Sequence, residues 1–234
     1  MEYAVFEKCV IHEDNHLLVV NKPNNILVQG DNTGDNTLLD YAKSYLKIKY
    51  QKPGNVFIGL VHRLDRPVSG VLILAKTSKG LSRLNEQMRA KQMQKTYLAI
   101  SRNRSLSKSG KLTNYLYKDT SRNQVKIVSK GVNGSKEAIT DYELIGNSHS
   151  TYLYRLHPIT GRSHQLRVHM KSIDCSILGD LKYGDIKALA DQSIALHCHK
   201  MTIKHPTTKD TLEFTASTPA SPHWKKMNKL INNI

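Results

Sequence analysis

The sequence predicts an α+β fold, in which a mixed, mostly antiparallel sheet is flanked by helices and loops. Three features predict it. Two short runs rich in β-branched residues, 57–61 and 71–75, enclose a charged loop and are typical of two buried strands. Apolar residues recur at helical spacing across 38–46. Between residues 111 and 157, turn residues separate four short runs at the spacing of antiparallel hairpins.

The first part of the chain is expected to supply strands and two helices. Thr37 is expected to cap the first helix and Pro53-Gly54 to end it. The second helix begins at Ser78 and is expected to turn Leu81, Leu84 and Met88 inward. The strands of this part are expected at 17–20, 57–61, 71–75 and 95–101.

The second part of the chain is expected to be richer in hairpins. Residues 102–110 are polar, basic and without periodicity, which favours a surface loop and the boundary between two halves of the fold. Ser163 is expected to cap a short helix that ends at Lys171. The strands are expected at 111–117, 124–129, 137–145 and 151–157, with a hairpin from 201–203 and 212–214 and a last helix at 224–231.

The composition indicates one domain over residues 1–234 and a polyanionic partner. With 39% hydrophobic residues the chain can bury a sizeable core. The 35 Lys and Arg residues outnumber 19 acids and give a net charge of +16, which favours nucleic acid or an acidic membrane surface; a generally basic protein is the alternative. We expect no membrane span, because no apolar run approaches ~20 residues, and no secretory signal. Three cysteines favour a reduced, cytoplasmic setting.

The charged loop 62–70 is the first candidate for chemistry. It carries one carboxylate, Asp65, among His62, Arg63 and Arg66. Loops held by strands commonly carry binding and catalytic residues, and neighbouring arginines favour the ionised carboxylate. A charged turn in which Asp65 merely pairs with an arginine is the alternative.

Several further motifs occur in a fixed order along the chain. They are the acidic turn, strand and Lys-Pro of residues 13–23, HRLDRPVSG with VLILAK from His62, KTYLA from Lys95, GRSHQLRVH from Gly161, Gly179-Asp180 with Tyr183-Gly184, Leu196-His197 and His205-Pro206. Together they resemble the RluA family of RNA pseudouridine synthases over residues 10–224. Val68 departs from the Thr more often found in that family, but the substitution leaves Asp65 and Ser69-Gly70 in place.

This resemblance implies a fold, a reaction and a set of catalytic residues. It implies the pseudouridine synthase fold, with the active-site cleft between two halves of the sheet, and the conversion of specific uridines of rRNA or tRNA to pseudouridine. That reaction detaches uracil from C1′ of the ribose and rejoins it through C5, so we expect neither a cofactor nor a metal. Asp65 would be the catalytic aspartate, Tyr97 the tyrosine that packs against the base, and Arg167 the partner of Asp65.

The resemblance also implies residues that bind the RNA. Arg63 would fill the space left by the everted nucleotide, and Leu196 would form an apolar wall of the pocket. Weaker candidates for contacts with the RNA are His62, Lys95, Arg162 and Gln165. Without the resemblance, Tyr97 would be an aromatic residue packed on the sheet and Arg167 part of a solvated basic face.

Two other functions remain open from the residues. A glycosylase-type hydrolase would need a second carboxylate, for which Asp174, Asp180 and Asp185 are candidates. An RNA-binding protein with a vestigial motif would need no Asp65. The His and Cys residues lack the spacing of a zinc site, so no metal is expected.

The remaining expectations concern RNA selection and assembly. The first motif begins at Glu13, which leaves no room for the S4-like module of related proteins. Selection of the target would then depend on loops such as 102–110 and 119–135. A monomer is expected.

Overall fold

The structure is a computed structural model that describes residues 2–30 and 34–234. It divides into two compact units, one of Met1–Gln94 with Cys198–Thr218 and one of Lys95–His197 with Pro219–Ile234. The expected boundary at 102–110 is therefore wrong, because the chain changes unit between Gln94 and Lys95. The loop 102–110 belongs to the second unit, where the N–H of Ser105 donates to the hydroxyl of the buried Tyr154.

Helices and strands are interspersed along the described residues. In chain order they are α1 (Tyr3–Glu7), β1 (Val10–Glu13), β2 (Leu17–Lys22), α2 (Leu38–Lys49), β3 (Gly59–Leu60), β4 (Ser69–Ala75), α3 (Ser78–Arg89), β5 (Gln94–Ser101), β6 (Ser109–Asp119), β7 (Gln124–Val128), β8 (Lys136–Ser148), β9 (Thr151–Pro158), α4 (Gln165–Ser172), a 3₁₀ turn (Leu181–Tyr183), β10 (Leu196–Lys204), β11 (Thr211–Thr215), α5 (Pro222–Lys225) and α6 (Asn228–Ile231). Both kinds of element occur along the whole chain, so the predicted α+β class is confirmed.

The first unit is built on β4. Its sheet has the order β1-β2-β4-β10, with β3 on β4 and β11 on β10. Every residue of β4 is buried, and β2 runs antiparallel to it from the pair Leu17–Ala75 to the pair Lys22–Gly70. Helix α2 begins with a capping box, in which Thr37 and Asp40 each accept a hydrogen bond from the other's backbone N–H. The predicted cap is confirmed.

Two details of the first unit differ from the prediction. The strand expected at 57–61 is reduced to Gly59–Leu60, and the side chain of Phe57 is exposed. In α3, Leu84 is buried, but Leu81 and Met88 are only partly so. Gln87 is buried instead, because its amide donates to the carbonyl of Lys204 and accepts from the N–H of the same residue. A periodicity of apolar residues does not detect such an amide.

The second unit contains the predicted hairpins. Its strands follow the order β5-β9-β8-β6-β7, and each of these pairs is antiparallel. Helix α4 begins after His164, which has φ +50° and makes no capping bond through its side chain, so the predicted cap at Ser163 is wrong. The last helix is divided into α5 and α6. None of the helices in the described residues is long and apolar enough to cross a lipid bilayer.

Candidate active site

The loop 62–70 of the first unit is held in place by one buried lysine. Lys22 ends β2, is 0% exposed and donates from Nζ to the carbonyls of Pro23 at 2.8 Å, Arg66 at 3.1 Å and Val68 at 2.7 Å. Two of these carbonyls belong to the loop itself. An ammonium has three donors, so these three bonds match its hydrogen-bonding capacity. Lys22 thus fixes the backbone on the C-terminal side of Asp65.

Lys22 also interacts electrostatically with Asp65. Burial lowers the pKa of Lys22 to about 7, whereas the negative charge of Asp65 raises it and the positive charge of Arg66 lowers it. Lys22 is therefore linked to the candidate catalytic group in two ways, through the loop backbone that it holds and through the charge of Asp65 that acts on it.

The side chains of the loop differ strongly in exposure. Asp65 is half-buried, Arg63 is exposed and His62 is 9% exposed. The Nε2 atom of His62 accepts a hydrogen bond from the N–H of Ile73 in β4, at 3.1 Å. The imidazole therefore anchors the start of the loop to the sheet. Arg63 has the exposure that a contact with RNA requires.

In the second unit, Tyr97 and Leu196 lie on strands. Tyr97 is in β5, pairs with Leu156 of β9 and is 8% exposed. Leu196 begins β10 and is 3% exposed. Both side chains are fixed by the sheet, as a wall for a planar base requires.

Arg167 forms a buried ion pair within the second unit. Its Nε atom donates to Oδ2 of Asp180 at 2.7 Å, and its Nη2 atom donates to Oδ1 at 2.8 Å. The two side chains are 8% and 1% exposed. This bidentate geometry fixes the plane of the guanidinium. Sequence reasoning gave Arg167 the partner Asp65 and assigned no such role to Asp180.

A tyrosine supports the same arginine. The guanidinium of Arg167 lies 4.9 Å from the ring centroid of Tyr183, which is 2% exposed. The hydroxyl of Tyr183 accepts from the N–H of Val125 at 2.8 Å and lies 2.7 Å from Nδ1 of His164. Tyr183 therefore joins β7, the start of α4 and Arg167.

The weaker RNA-binding candidates of the second unit differ in what they can reach. The amide of Gln165 is 3% exposed and makes four hydrogen bonds inside the unit; its partners are the Thr160 hydroxyl, the Arg162 N–H, the Ile139 carbonyl and the Thr140 hydroxyl. These bonds use the full capacity of an amide, so Gln165 shapes the turn before α4.

The other two weaker candidates are more accessible. Arg162 is exposed, and its Nε atom donates a hydrogen bond to the carbonyl of Glu137. Lys95 is half-buried.

The candidate residues thus fall into two sets. Asp65, Arg63 and His62 share one loop of the first unit, and the others belong to the second unit. The pairing of Asp65 with Arg167 and the cleft between the halves stay predictions. Sequence reasoning missed the roles of Lys22, Asp180 and Tyr183, although each lies in a motif that it had noted. Across residues 2–30 and 34–234, no group of three or more His, Cys, Asp or Glu side chains is arranged for a metal ion.

Comparisons with known proteins bear on both the fold and the sequence. The solved structure of human RNA Pseudouridylate Synthase Domain Containing 4 superposes with a TM-score of 0.80 at 23% identity, covering 98% of this chain and 95% of that chain. Human RNA Pseudouridylate Synthase Domain Containing 1 gives 0.71 at 23% identity, over 92% and 84% of the two chains. These likenesses confirm the predicted pseudouridine synthase fold.

Proteins with similar sequences show the family to which the chain belongs. The ribosomal large subunit pseudouridine synthase D of Borreliella burgdorferi is 38% identical over 200 residues, which are 83% of this chain and 60% of that protein. The ribosomal large subunit pseudouridine synthase C of Buchnera aphidicola is 34% identical over 229 residues, covering 91% of this chain and 67% of that protein. A sequence model described as RNA pseudouridylate synthase matches residues 16–172, which include both Asp65 and Arg167. The chain belongs to the RNA pseudouridylate synthase family.

Proposed function

We propose that this protein converts specific uridines of ribosomal RNA to pseudouridine, with transfer RNA as the second substrate class to test. The observation that carries the proposal is the match of the family over residues 16–172, in which Asp65 lies on a loop held by buried Lys22. The relatives named above are synthases of the large ribosomal subunit, which favours ribosomal RNA. The net charge of +16 suits any RNA.

In the proposed reaction, each side chain has one task. Asp65 acts at C1′ of the ribose, either as a nucleophile or by stabilising positive charge as the bond to N1 of uracil breaks. Tyr97 packs against the detached base and handles the proton of C5. Arg167, oriented by Asp180, pairs with Asp65. No redox change occurs, and uracil leaves and rejoins the same ribose, so no co-reactant is required.

The same proposal assigns residues to the RNA. Arg63 enters the space left by the everted nucleotide and offsets part of the unstacking cost of a few kcal/mol. Leu196 forms the apolar wall, and Arg162 and Lys95 contact the backbone. We assign His62 and Gln165 to support of the site, because Nε2 of His62 and the amide of Gln165 form hydrogen bonds inside the protein. We place the reaction in the cytoplasm and expect a monomer; the three cysteines are free thiols, as a reducing compartment requires.

A hydrolase that releases uracil is less well supported. It would need a second carboxylate to activate water. Asp180 is committed to Arg167, and Asp185 bonds to Arg102 and to the N–H of Gly179. These pairings favour structural roles for two of the three acidic residues that the sequence had offered.

The test uses ribosomal and transfer RNA transcribed without modification. The transcripts are incubated with the protein, and pseudouridine is mapped by carbodiimide-dependent stops of reverse transcription. We expect new stops at one or a few uridines with the wild type and none with Asp65→Asn, which removes the charge but keeps the shape. The variant should still bind the RNA. Stops that persist with Asp65→Asn would refute the assignment of Asp65, and free uracil or abasic sites would favour the hydrolase.

A further inference from the structure

Helix α2 and the segment after it form a basic surface distinct from the loop 62–70. Residues 41–61 contain four lysines but neither Asp nor Glu. The side chains from Lys43 to Phe57 are mostly exposed, with the exception of a few that pack inward. A long stretch of positive charge with no acidic residue is typical of a surface that meets a polyanion.

The lysines of this stretch are not equivalent. Lys49 already has partners inside the protein, because its ammonium lies 2.8 Å from Oε2 of Glu13 and 2.8 Å from the hydroxyl of Tyr45. Lys43 and Lys47 are both exposed, and neither forms an ion pair in the part of the chain that the structure describes. They are four residues apart, so they share one face of α2 and repel each other. Folding gains nothing from that repulsion.

A pocket of about 420 Å³ lies at this pair of lysines. Lys43, Ser44 and Lys47 of α2 line one side, and Gly54, Asn55 and Val56 line the other. The polar side chains offer two ammonium groups, a hydroxyl and an amide, and no carboxylate takes part. An ammonium can only donate hydrogen bonds, while the hydroxyl and the amide can donate as well. Such a lining matches an oxyanion with several acceptor oxygens, and a phosphate is the form of that group on RNA.

The chain connects this pocket to the candidate catalytic loop. Asn55 precedes Asp65 by ten residues, so the two lie at most about 35 Å apart. A folded RNA can span that distance, and the same molecule can therefore reach both places. Phe57 follows the pocket residue Val56 in the chain and is 47% exposed, and an exposed aromatic ring is a surface on which an unstacked base can stack.

We propose that the pocket between α2 and residues 54–56 is a second RNA-binding site, which takes a backbone phosphate of the substrate away from the target uridine. This proposal rests on the proposed function, because it takes RNA as the substrate. The site adds affinity and fixes the orientation of the RNA. It has no part in the chemical step.

The first experiment removes the charge of the pocket. Lys43→Gln/Lys47→Gln is compared with Lys225→Gln/Lys229→Gln, which removes two exposed lysines at the same spacing in the second unit. Gln has nearly the helix propensity of Lys, so α2 should remain folded, as a thermal melt will show. Binding of a labelled, unmodified ribosomal RNA transcript is measured by anisotropy at several salt concentrations.

The pocket pair and the control pair should respond differently. We expect the pocket variant to bind about tenfold more weakly, and the slope of log K against log salt to fall by about 2. The control should stay within about twofold of the wild type. At saturating RNA the single-turnover rate of the pocket variant should equal that of the wild type. Equal losses in the two variants would overturn the proposal, because they would report net charge alone.

A second variant separates a shaped pocket from a diffuse basic surface. Asn55→Ala keeps every charge but removes one hydrogen-bonding group, so we expect a threefold to tenfold loss of affinity with an unchanged salt slope. Wild-type affinity for Asn55→Ala would overturn the assignment of a pocket. The proposed function fails separately: its failure appears as an absence of pseudouridine with the wild type, whereas these variants report binding whether or not the RNA is modified.

Discussion

At the scale of single residues, the candidate site depends on buried polar side chains that form their hydrogen bonds with other groups of the protein. Lys22 donates to three carbonyls around the loop 62–70, and Asp180 accepts two bonds from Arg167. Buried polar groups of this kind are expensive unless they are paired. Their cost is consistent with a role in positioning Asp65 and Arg167 rather than in packing alone.

Lys22→Met tests the support of the loop. Met has a similar length but no donor, so the carbonyls of Arg66 and Val68 lose their partner and Asp65 loses a fixed position. We expect kcat to fall about 100-fold, since a displacement of about 1 Å can cost that much, with a smaller effect on RNA affinity. Lys79→Met, an exposed lysine of the same unit, is the control and should leave kcat unchanged. Steady-state kinetics with full kcat for Lys22→Met would contradict this role.

Asp180→Asn tests the buried ion pair. The change leaves the guanidinium of Arg167 buried without its carboxylate, which costs about 3 to 5 kcal/mol in known cases. The loss is measured as the free energy of unfolding in urea. Glu143→Gln is the control, because Glu143 pairs with Arg155 while both are about one third exposed, and such pairs contribute less than about 1 kcal/mol. Equal effects of the two changes would show that burial does not strengthen the pair with Arg167.

At the scale of elements, the start of β4 requires a glycine. Gly70 has φ +117°, and a Cβ atom there would collide with the backbone of Cys198 in β10. Gly70 also ends the candidate catalytic loop and pairs with Lys22 of β2. The glycine of the HRLDRPVSG motif is thus explained by backbone geometry.

Gly70→Ala should therefore disturb the first unit. We expect a loss of at least about 2 kcal/mol in the free energy of unfolding, and a loss of activity, since the strand that fixes the loop must shift. Gly161→Ala is the matched control from another motif. Gly161 has no atom within 4 Å of the added Cβ and does not have a positive φ. A thermal melt of Gly70→Ala equal to that of the control would contradict the collision.

At the scale of the whole molecule, buried histidine makes stability depend on pH. His169 in α4 is 1% exposed, and burial lowers its pKa to about 4. In the unfolded chain a histidine titrates near 6.5. Between these values the unfolded state binds a proton that the folded state does not, so the free energy of unfolding decreases as the pH falls from about 6.5 towards 4.

His169→Gln should reduce this dependence. Between pH 7 and about pH 5, we expect the variant to lose about 2 kcal/mol less stability than the wild type, measured by urea unfolding at each pH. His149→Gln, at an exposed histidine of the same unit, should keep the dependence of the wild type. An identical pH dependence in all three proteins would refute the role of His169.

The sequence by itself determined the class of fold, most strands and helices, and the family. Alternation and turn residues sufficed for β6 to β9, and Thr37 sufficed for the start of α2, because these signals are local. The motifs sufficed to nominate Asp65, Tyr97 and Arg167, whose positions within their elements agree with the prediction.

The tertiary structure decided what local signals cannot carry. It showed that the chain passes from the first unit to the second between Gln94 and Lys95, and that Gln87 is buried. It also showed that His164, and not the predicted Ser163, is the residue before α4. It gave Arg167 the partner Asp180, thirteen residues away, and gave Lys22 acceptors up to forty-six residues away. Such bonds depend on which strands become neighbours, and a lysine or an aspartate has the same local pattern whether it is solvated or buried. The partners of buried polar groups are therefore known only once the chain has folded.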